Sequence, residues 1–184
     1  MLEVGCGRDG GIVATLTAAG YDAQGVDPEA PDGPGFRRAR FQEVDGEYDA
    51  VVAERVLHHV HPLDEGIEKL ARLAPLLVVD EFAPNLIDPG ARDWYEGQHR
   101  MLAAVGAAPP GPPDLGAWAA RHPDLHAHDT LLAALRVRYD ERALEWVPYL
   151  HRWLGGPSSE ALESTLIGVG AIPAIGYRWV GVRR

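Results

Sequence analysis

The sequence predicts an α/β fold in which a mostly parallel sheet carries helices on both faces. The chain opens with a short apolar strand, Met1 to Val4, followed by a glycine-rich turn and an apolar helix pattern from about Gly10 to Ala19. Short apolar segments then recur along the first half of the chain, and helix patterns follow the first, fourth and fifth of them, as in α/β folds. One segment, Leu76 to Phe82, is almost continuously apolar, which is typical of a strand buried on both faces of a parallel sheet.

The other elements follow from apolar periodicity and from capping and turn residues. Residues 28–35 are rich in proline and glycine and are predicted not to form a helix. Only Gln42 to Glu47 separates the third and fourth predicted strands, which is short for a crossover between parallel neighbours. The predicted strands are Asp22–Val26, Phe36–Phe41, Tyr48–Ala53, Ala143–Leu150 and Ile175–Val182, and the predicted helices are Pro62–Ala74, Asp88–Val105, Asp114–Arg121, Asp129–Val137 and Ser158–Val169.

Composition excludes several classes of partner. The chain has 17 basic and 27 acidic residues, a net charge of -10, and no basic run, so we expect no nucleic-acid partner. It has no apolar run long enough to span a bilayer and no signal-peptide layout, so we expect no membrane partner. The single cysteine, Cys6, cannot form an internal disulfide and is consistent with a cytoplasmic location.

The glycine-rich turn after the first strand predicts a nucleotide-type cofactor site. Glycines at Gly5 and Gly7 allow the backbone to approach a ligand closely, and the following helix start directs backbone N–H groups at that ligand. Asp27 lies twenty residues beyond Gly7, at the end of the next strand, where an acid can accept hydrogen bonds from ribose hydroxyls. An ordinary tight turn is the alternative, although Asp27 would then be a coincidence.

Two cofactors fit this turn. The run Gly5-Cys6-Gly7-Arg8-Asp9-Gly10 matches G-x-G-x-x-G, the dinucleotide fingerprint. The overlapping run Glu3-Val4-Gly5-Cys6-Gly7 resembles the E-x-G-x-G opening of class I S-adenosylmethionine (SAM) methyltransferases. Glu3 favours SAM, because a carboxylate here would repel a pyrophosphate but attract a cofactor that carries an ammonium and a sulfonium.

Further segments extend the resemblance across the first 84 residues and the closing strand. They are Val26-Asp27, Tyr48-Asp49-Ala50-Val51-Val52, Val56-Leu57-His58-His59-Val60 and Leu77-Val78-Val79-Asp80-Glu81-Phe82. In this order they are similar to those of small class I SAM-dependent methyltransferases. The resemblance implies a Rossmann-like sheet with an antiparallel C-terminal strand, and SAM as the cofactor. The cofactor-binding residues that it implies are Glu3, Gly5, Cys6, Gly7, Asp27, Pro28, Gln42, Glu43, Glu54 and Arg55.

The resemblance also implies where the chemistry occurs. His59 follows the fourth strand beside the reactive side of the cofactor, where it could accept a proton from the acceptor or serve only to orient it. His58, its neighbour, is the second catalytic candidate. Two histidine groups, around His58 and around His126, could in principle bind a metal. The first group has no cysteine nearby, and the second lies at a polar junction between helices. We therefore expect no metal.

We expect one domain with three parts. Residues 1–87 form the cofactor-binding core, residues 88–139 a helical insertion after the fifth strand, and residues 140–184 the elements that complete the sheet. An insertion at this place is a natural cap over the substrate. We therefore predict that Glu81, Trp94 and Tyr95 bind the substrate, with packing in a small satellite core as the alternative for the aromatic residues.

The predicted function is methyl transfer from SAM to an oxygen or nitrogen nucleophile of a small molecule. Three departures from the family pattern qualify it: Asp9 stands where a third glycine usually falls, two crossover helices are nearly absent, and the chain starts inside the first strand. The last departure leads us to expect an exposed first strand and a possible homodimer. A degenerate SAM-binding partner protein and a nicotinamide-dependent oxidoreductase are the alternatives.

Overall fold

A computed structural model describes all residues of the chain, 1–184. It contains seven strands, seven helices and three short 3-10 turns. The strands are β1 (Leu2–Val4), β2 (Gln24–Asp27), β3 (Phe36–Arg38), β4 (Ala50–Glu54), β5 (Leu76–Phe82), β6 (Tyr139–Val147) and β7 (Gly176–Arg183). The helices are α1 (Val13–Ala18), α2 (Leu63–Leu73), α3 (Pro89–Ala104), α4 (Leu115–Arg121), α5 (His128–Arg138), α6 (His151–Leu154) and α7 (Pro157–Gly168).

The seven strands form one sheet in the order β3-β2-β1-β4-β5-β7-β6. The first five strands in this order pair in parallel, and the C-terminal strand is antiparallel. The predicted α/β fold is therefore confirmed. β1 pairs with β2 on one side and with β4 on the other, so the chain changes direction across the sheet at β1. The crevice at such a change, outside the carboxyl ends of the strands, is where open α/β sheets bind ligands.

The third strand is shorter than predicted. It ends at Arg38, and the predicted remainder leads into a 3-10 turn, Phe41–Glu43. β3 pairs with β2 at the edge of the sheet and does not neighbour β4. The short link before β4 therefore does not connect adjacent parallel strands, which removes the conflict with crossover length.

The predicted strand Ala143–Leu150 exists, but both of its ends lie several residues too late in the sequence. β6 begins at Tyr139 and ends at Val147, before Pro148, which has no N–H to donate to a ladder. Its first half carries charged side chains because β6 is an edge strand, and exposed charges there discourage pairing with other chains. Residues 149 and 150 instead donate their N–H groups to the carboxylate of Glu163.

Two predicted helix starts are confirmed by their capping hydrogen bonds. The Asp88 carboxylate accepts the N–H of Ala91 at 2.7 Å, and the Asp114 carboxylate accepts that of Ala117 at 2.7 Å. In each case an acid three residues before the donating residue accepts an N–H that the helix leaves unpaired. The short helix α6 was not predicted. No helix of the structure is both long enough and apolar enough to cross a membrane.

The chain divides into two compact units. Unit 1 comprises residues 1–81, 129–144 and 178–184, and contains nearly all of the sheet with α1, α2 and most of α5. Unit 2 comprises residues 82–128 and 145–177, and contains α3, α4, α6 and α7. The residues of the predicted helical insertion, 88–139, fall in both units: α3 and α4 lie in unit 2, and residues 129–139 lie in unit 1.

Unit 2 has its own aromatic core. The ring of Phe82 stacks on that of Tyr149 with centroids 4.6 Å apart, and the ring of Trp153 meets both edge-on. Beneath them the buried carboxylate of Glu163 accepts three consecutive backbone N–H groups, from Tyr149, Leu150 and His151, at 2.7 to 2.9 Å. This carboxylate ties α7 to the start of α6, because buried N–H groups require acceptors.

Candidate active site

The turn after β1 depends on glycine at its first position. Gly5 has a φ of +84°, a conformation that L side chains rarely adopt. A Cβ at this position would lie 2.7 Å from the Cβ of Val56, which is closer than atoms can pack. The N–H of Gly5 donates to the carbonyl of Val26 in the neighbouring strand at 2.9 Å. These constraints bring the loop after β1 close to the segment after β4.

Glu3 is fully buried in the middle of β1, and its carboxylate faces the same turn. Its two oxygens accept the N–H of Ile12 at 2.9 and 3.1 Å. A Cβ on Gly11, whose φ is +54°, would lie 1.9 Å from one of these oxygens. Gly11, one of the two glycines that fall late relative to the family pattern, therefore makes room for the Glu3 carboxylate. Burial raises the pKa of Glu3, and the negative charge of Glu54 raises it further. The hydrogen bond from the Ile12 N–H and the positive charge of Arg55 lower it, but the net pKa is raised.

Charged groups line a cavity of about 360 Å³ on one side of the turn. Six of the ten predicted cofactor-binding residues lie here: Glu3, Gly5, Cys6, Gly7, Glu54 and Arg55. Arg8, Asp9, Gly11 and Ile12 complete the lining and were not predicted as site residues. Cys6 is buried, and desolvation raises the pKa of its thiol to about 11, so the thiol is protonated at neutral pH and is no nucleophile.

A second cavity, of about 290 Å³, lies on the other side of Gly5, which lines both. Asp27, Pro28 and Gln42 line it, as does His59. One oxygen of Asp27 accepts the N–H of Glu29 at 2.7 Å, which fixes the carboxylate at the end of β2. The remaining residues of its wall are Val4, Val26, Arg40, Phe41, Val56, Val60 and His61.

Glu43 does not line this cavity, and its prediction as an adenine contact is not supported by the geometry. It ends the 3-10 turn as an exposed residue, and its carbonyl accepts a hydrogen bond from Arg37 at 3.1 Å. Gln42, one position earlier, does line the cavity. The sequence could not separate the two, because the direction of adjacent side chains depends on where the turn begins. Arg40 belongs to no motif by which it could have been recognised, whereas His61 belongs to the histidine group that was weighed only as a metal site.

His58 forms a buried pair with Glu81 rather than facing a cavity. The Nδ1 atom of His58 lies 2.8 Å from both carboxylate oxygens of Glu81, and the backbone N–H of His58 donates to one of them at 3.0 Å. Glu81 is fully buried and lines neither cavity. Its prediction as a substrate-binding residue is therefore corrected: its carboxylate is occupied in holding the segment after β4 against the end of β5.

His59 lies beside this pair and is exposed in the smaller cavity. Its ring packs against that of His58 with centroids 4.1 Å apart and planes inclined by 45°. Glu81 thus holds the His58 ring in place, and the His59 ring packs against it. Of the two predicted catalytic histidines, the structure brings only His59 to a cavity.

The two aromatic residues predicted to bind substrate belong to the core of unit 2. Tyr95 is fully buried, and its hydroxyl donates to the carbonyl of Pro112 at 2.8 Å. Desolvation raises its pKa well above the ordinary range. Trp94 packs against the same cluster. The spacing of Ala91, Tyr95 and His99, all buried along one face of α3, is the signal that identifies Tyr95 as a core residue.

No group of three or more His, Cys, Asp or Glu side chains is placed to hold a metal ion. The mostly parallel sheet, the acid within β1 and the two cavities that Gly5 lines define a class of protein: an α/β protein with a candidate ligand site at the turn after β1. A model of the methyltransferase domain family matches residues 1–152. The chain belongs to this family, as the resemblance of its motifs predicted. No curated protein matches the sequence.

Solved structures with the same fold include several methyltransferases. A SAM-dependent methyltransferase from Mesorhizobium loti has a TM-score of 0.59 at 16% identity, with 100% of this chain and 89% of that one covered. Magnesium protoporphyrin IX methyltransferase from Synechocystis, crystallised with S-adenosylhomocysteine (SAH), has a TM-score of 0.56 at 19% identity, with 100% and 73% covered. Geranyl diphosphate C-methyltransferase from Streptomyces coelicolor has a TM-score of 0.53 at 12% identity, with 100% and 71% covered. These similarities confirm the predicted Rossmann-like fold.

Proposed function

We propose that this protein binds SAM and transfers its methyl group to an oxygen or nitrogen nucleophile of a small molecule. The observation that carries the proposal is the contact of Glu3 with the N–H of Ile12. A dinucleotide site leaves such N–H groups for its pyrophosphate, whereas here a buried carboxylate accepts the bond. A negative group at this point repels phosphate and attracts a cofactor with a cationic amino acid end.

The residues present fit SAM in its two halves. The smaller cavity would hold the adenosine, with Asp27 accepting hydrogen bonds from the ribose hydroxyls and Gln42 close to the base. The larger cavity carries the charged side chains Glu54 and Arg55 that a zwitterionic methionine end requires. Since Gly5 lines both cavities, the two halves of one ligand can occupy them together.

SAM, when bound, supplies an activated methyl group on a cationic sulfur, and the chain's own residues provide for the acceptor. His59 is exposed in the smaller cavity and can accept the proton that an attacking hydroxyl or amine releases. The buried contact between His58 and Glu81 holds the ring against which His59 packs. Holding donor and acceptor in line would supply much of the rate enhancement.

The degenerate, non-catalytic alternative loses one of its arguments. It depended partly on Asp9 at the position of a family glycine, but Gly10 and Gly11 both have positive φ, and Gly11 provides the space for Glu3. The expected exposure of β1 is also corrected, because Leu2 and Val4 are buried within the chain. The homodimer stays a prediction.

Calorimetric titration of the protein with SAH and with NADH tests the cofactor. We expect SAH to bind and NADH not to bind, and binding of NADH alone would overturn the proposal. Transfer is then tested by incubation with SAM that carries a labelled methyl group and a panel of phenols, carboxylic acids and amines. SAH binding without label transfer to any of them would favour the non-catalytic alternative.

The role of His59 is tested with the acceptor that this panel identifies. His59→Gln keeps a polar side chain but removes the ring nitrogen that would accept the proton, so we expect kcat to fall by about 10²- to 10⁴-fold. An unchanged affinity for SAH shows that the variant is folded. If kcat falls by less than about tenfold, His59 only orients the acceptor.

A further inference from the structure

The chain leaves Asp27 through a loop instead of a crossover helix. β2 and β3 are parallel neighbours, and such strands are usually connected by a helix that packs on the sheet. Here residues 28–35 form turns and bends, and most of them are exposed. The residues that follow β2 therefore depend on individual contacts to hold them in place.

One of these contacts fixes the carboxylate of Asp27. One of its oxygens accepts the backbone N–H of Glu29 at 2.7 Å. The direction of this N–H, and with it the orientation of the carboxylate, depends on where Glu29 is held. Glu29 lines neither cavity, whereas Asp27 lines the smaller one. Any effect of Glu29 on a ligand of the smaller cavity therefore passes through Asp27.

Glu29 is held by an ion pair with the turn after β1. The guanidinium of Arg8 donates to its carboxylate at 2.8 Å. No other hydrogen bond or ion pair joins residues 5–12 to residues 28–35. Arg8 lines the larger cavity, so the contacts from Arg8 to Glu29 and from Glu29 to Asp27 connect the walls of the two cavities.

We infer that Arg8 and Glu29 are positioning residues: their ion pair joins the turn after β1 to the loop after β2 and thereby orients Asp27 toward the ribose. This inference rests on the proposed function, which assigns the adenosine to the smaller cavity. The two side chains are 74% and 63% exposed, so water and salt screen the pair and its contribution is small. The pair therefore adjusts the affinity for the cofactor by a few fold and does not decide whether the cofactor binds.

Exchange of the two charges tests the pair by calorimetric titration. The probe is 5′-methylthioadenosine, which has the ribose hydroxyls but no charged amino acid end, so a new charge at position 8 meets no charge on the ligand. In Arg8→Glu and in Glu29→Arg two like charges face each other, and we expect each variant to bind about three- to tenfold more weakly. The double variant restores the pair with its charges reversed and is expected to bind within about twofold of the wild type.

Salt gives a second readout, which a misfolded variant would not show. At about 1 M NaCl the screening length is only about 3 Å, so each single variant should approach the wild type measured in the same buffer. Asp32→Arg is the matched control, because it adds a positive charge to the same loop at a residue that is 91% exposed and pairs with Arg38. It should leave the dissociation constant unchanged.

The route through Asp27 is tested by repeating Glu29→Arg in an Asp27→Ala background. We expect no further loss of affinity there, because the carboxylate that Glu29 orients is gone. A further loss in that background, single variants that bind like the wild type, or a double variant that does not recover would each overturn the inference. So would an equal loss in Asp32→Arg.

In each of these cases binding of SAH by the wild-type protein leaves the proposed function intact. If the wild-type protein binds neither SAH nor 5′-methylthioadenosine, both the inference and the proposed function fail.

Discussion

The carboxylate of Glu3 accepts the backbone N–H of Ile12 with both of its oxygens, at 2.9 and 3.1 Å. This contact joins the central strand to the residue before α1 and places a buried negative charge under the glycine-rich turn. It supports the proposal that this turn, although it matches a dinucleotide fingerprint, binds SAM rather than a pyrophosphate. It also explains why glycine is needed at position 11, one residue after the fingerprint ends.

The ionisation of Glu3 should be visible in the pH dependence of cofactor binding. Its pKa is raised from the ordinary value of 4.5, chiefly by burial. Only the ionised Glu3 carboxylate attracts the ammonium end of the ligand. The affinity for SAH is therefore highest above the raised pKa of Glu3 and falls as the pH drops through that pKa. In Glu3→Gln this dependence should disappear and the affinity should be uniformly lower. Calorimetry between about pH 5 and pH 8 measures both, and parallel pH profiles would contradict the assignment.

Gly11→Ala should destabilise the protein more than Gly7→Ala. Both glycines have a φ near +60°, so both substitutions carry the same backbone cost. The new Cβ at position 11 would meet the Glu3 carboxylate, whereas none lies within 4 Å at position 7. We expect an additional loss of roughly 1–3 kcal/mol in the free energy of unfolding, as for overpacking. Urea denaturation of both variants measures the difference, and equal losses would show that the carboxylate moves away without cost.

Asp27→Ala should weaken SAH binding by roughly 1–3 kcal/mol, which corresponds to about 5- to 150-fold, because two ribose hydroxyls lose a charged acceptor. Asp32→Ala is the matched control: Asp32 follows on the same loop, is 91% exposed and pairs only with Arg38. It should leave the dissociation constant unchanged. An unchanged constant for Asp27→Ala would place the adenosine outside the smaller cavity.

Glu163→Gln should destabilise unit 2. The carboxylate accepts three backbone N–H groups, and a glutamine offers one oxygen in place of two. At least one buried N–H then faces an amide NH₂, which costs roughly 1–3 kcal/mol. Glu160→Gln, on the exposed side of α7, should change stability by less than about 0.5 kcal/mol. Urea midpoints compare the two, and equal midpoints would mean that the buried carboxylate contributes nothing beyond the amide.

Local patterns in the sequence were sufficient for the elements that depend on them. The alternation of apolar strands with helices gave the α/β fold, and the capping acids Asp88 and Asp114 gave two helix starts. The edge strand β6 was displaced by several residues because its exposed charges resemble a loop. Its pairing with the sheet, rather than an apolar pattern, makes it a strand.

Within the candidate site, the sequence by itself determined the residues whose position depends on the turn after β1 and on the strand ends. Gly5, Gly7 and Asp27 belong to this group, because a strand followed by glycines has few conformations available. The tertiary structure alone decided the partners of the buried acids. Glu81 and His58 are 23 residues apart, and Glu163 and Tyr149 are 14 apart. A buried carboxylate must find hydrogen-bond donors, but packing between distant segments decides which donors it meets, and no local pattern records that choice.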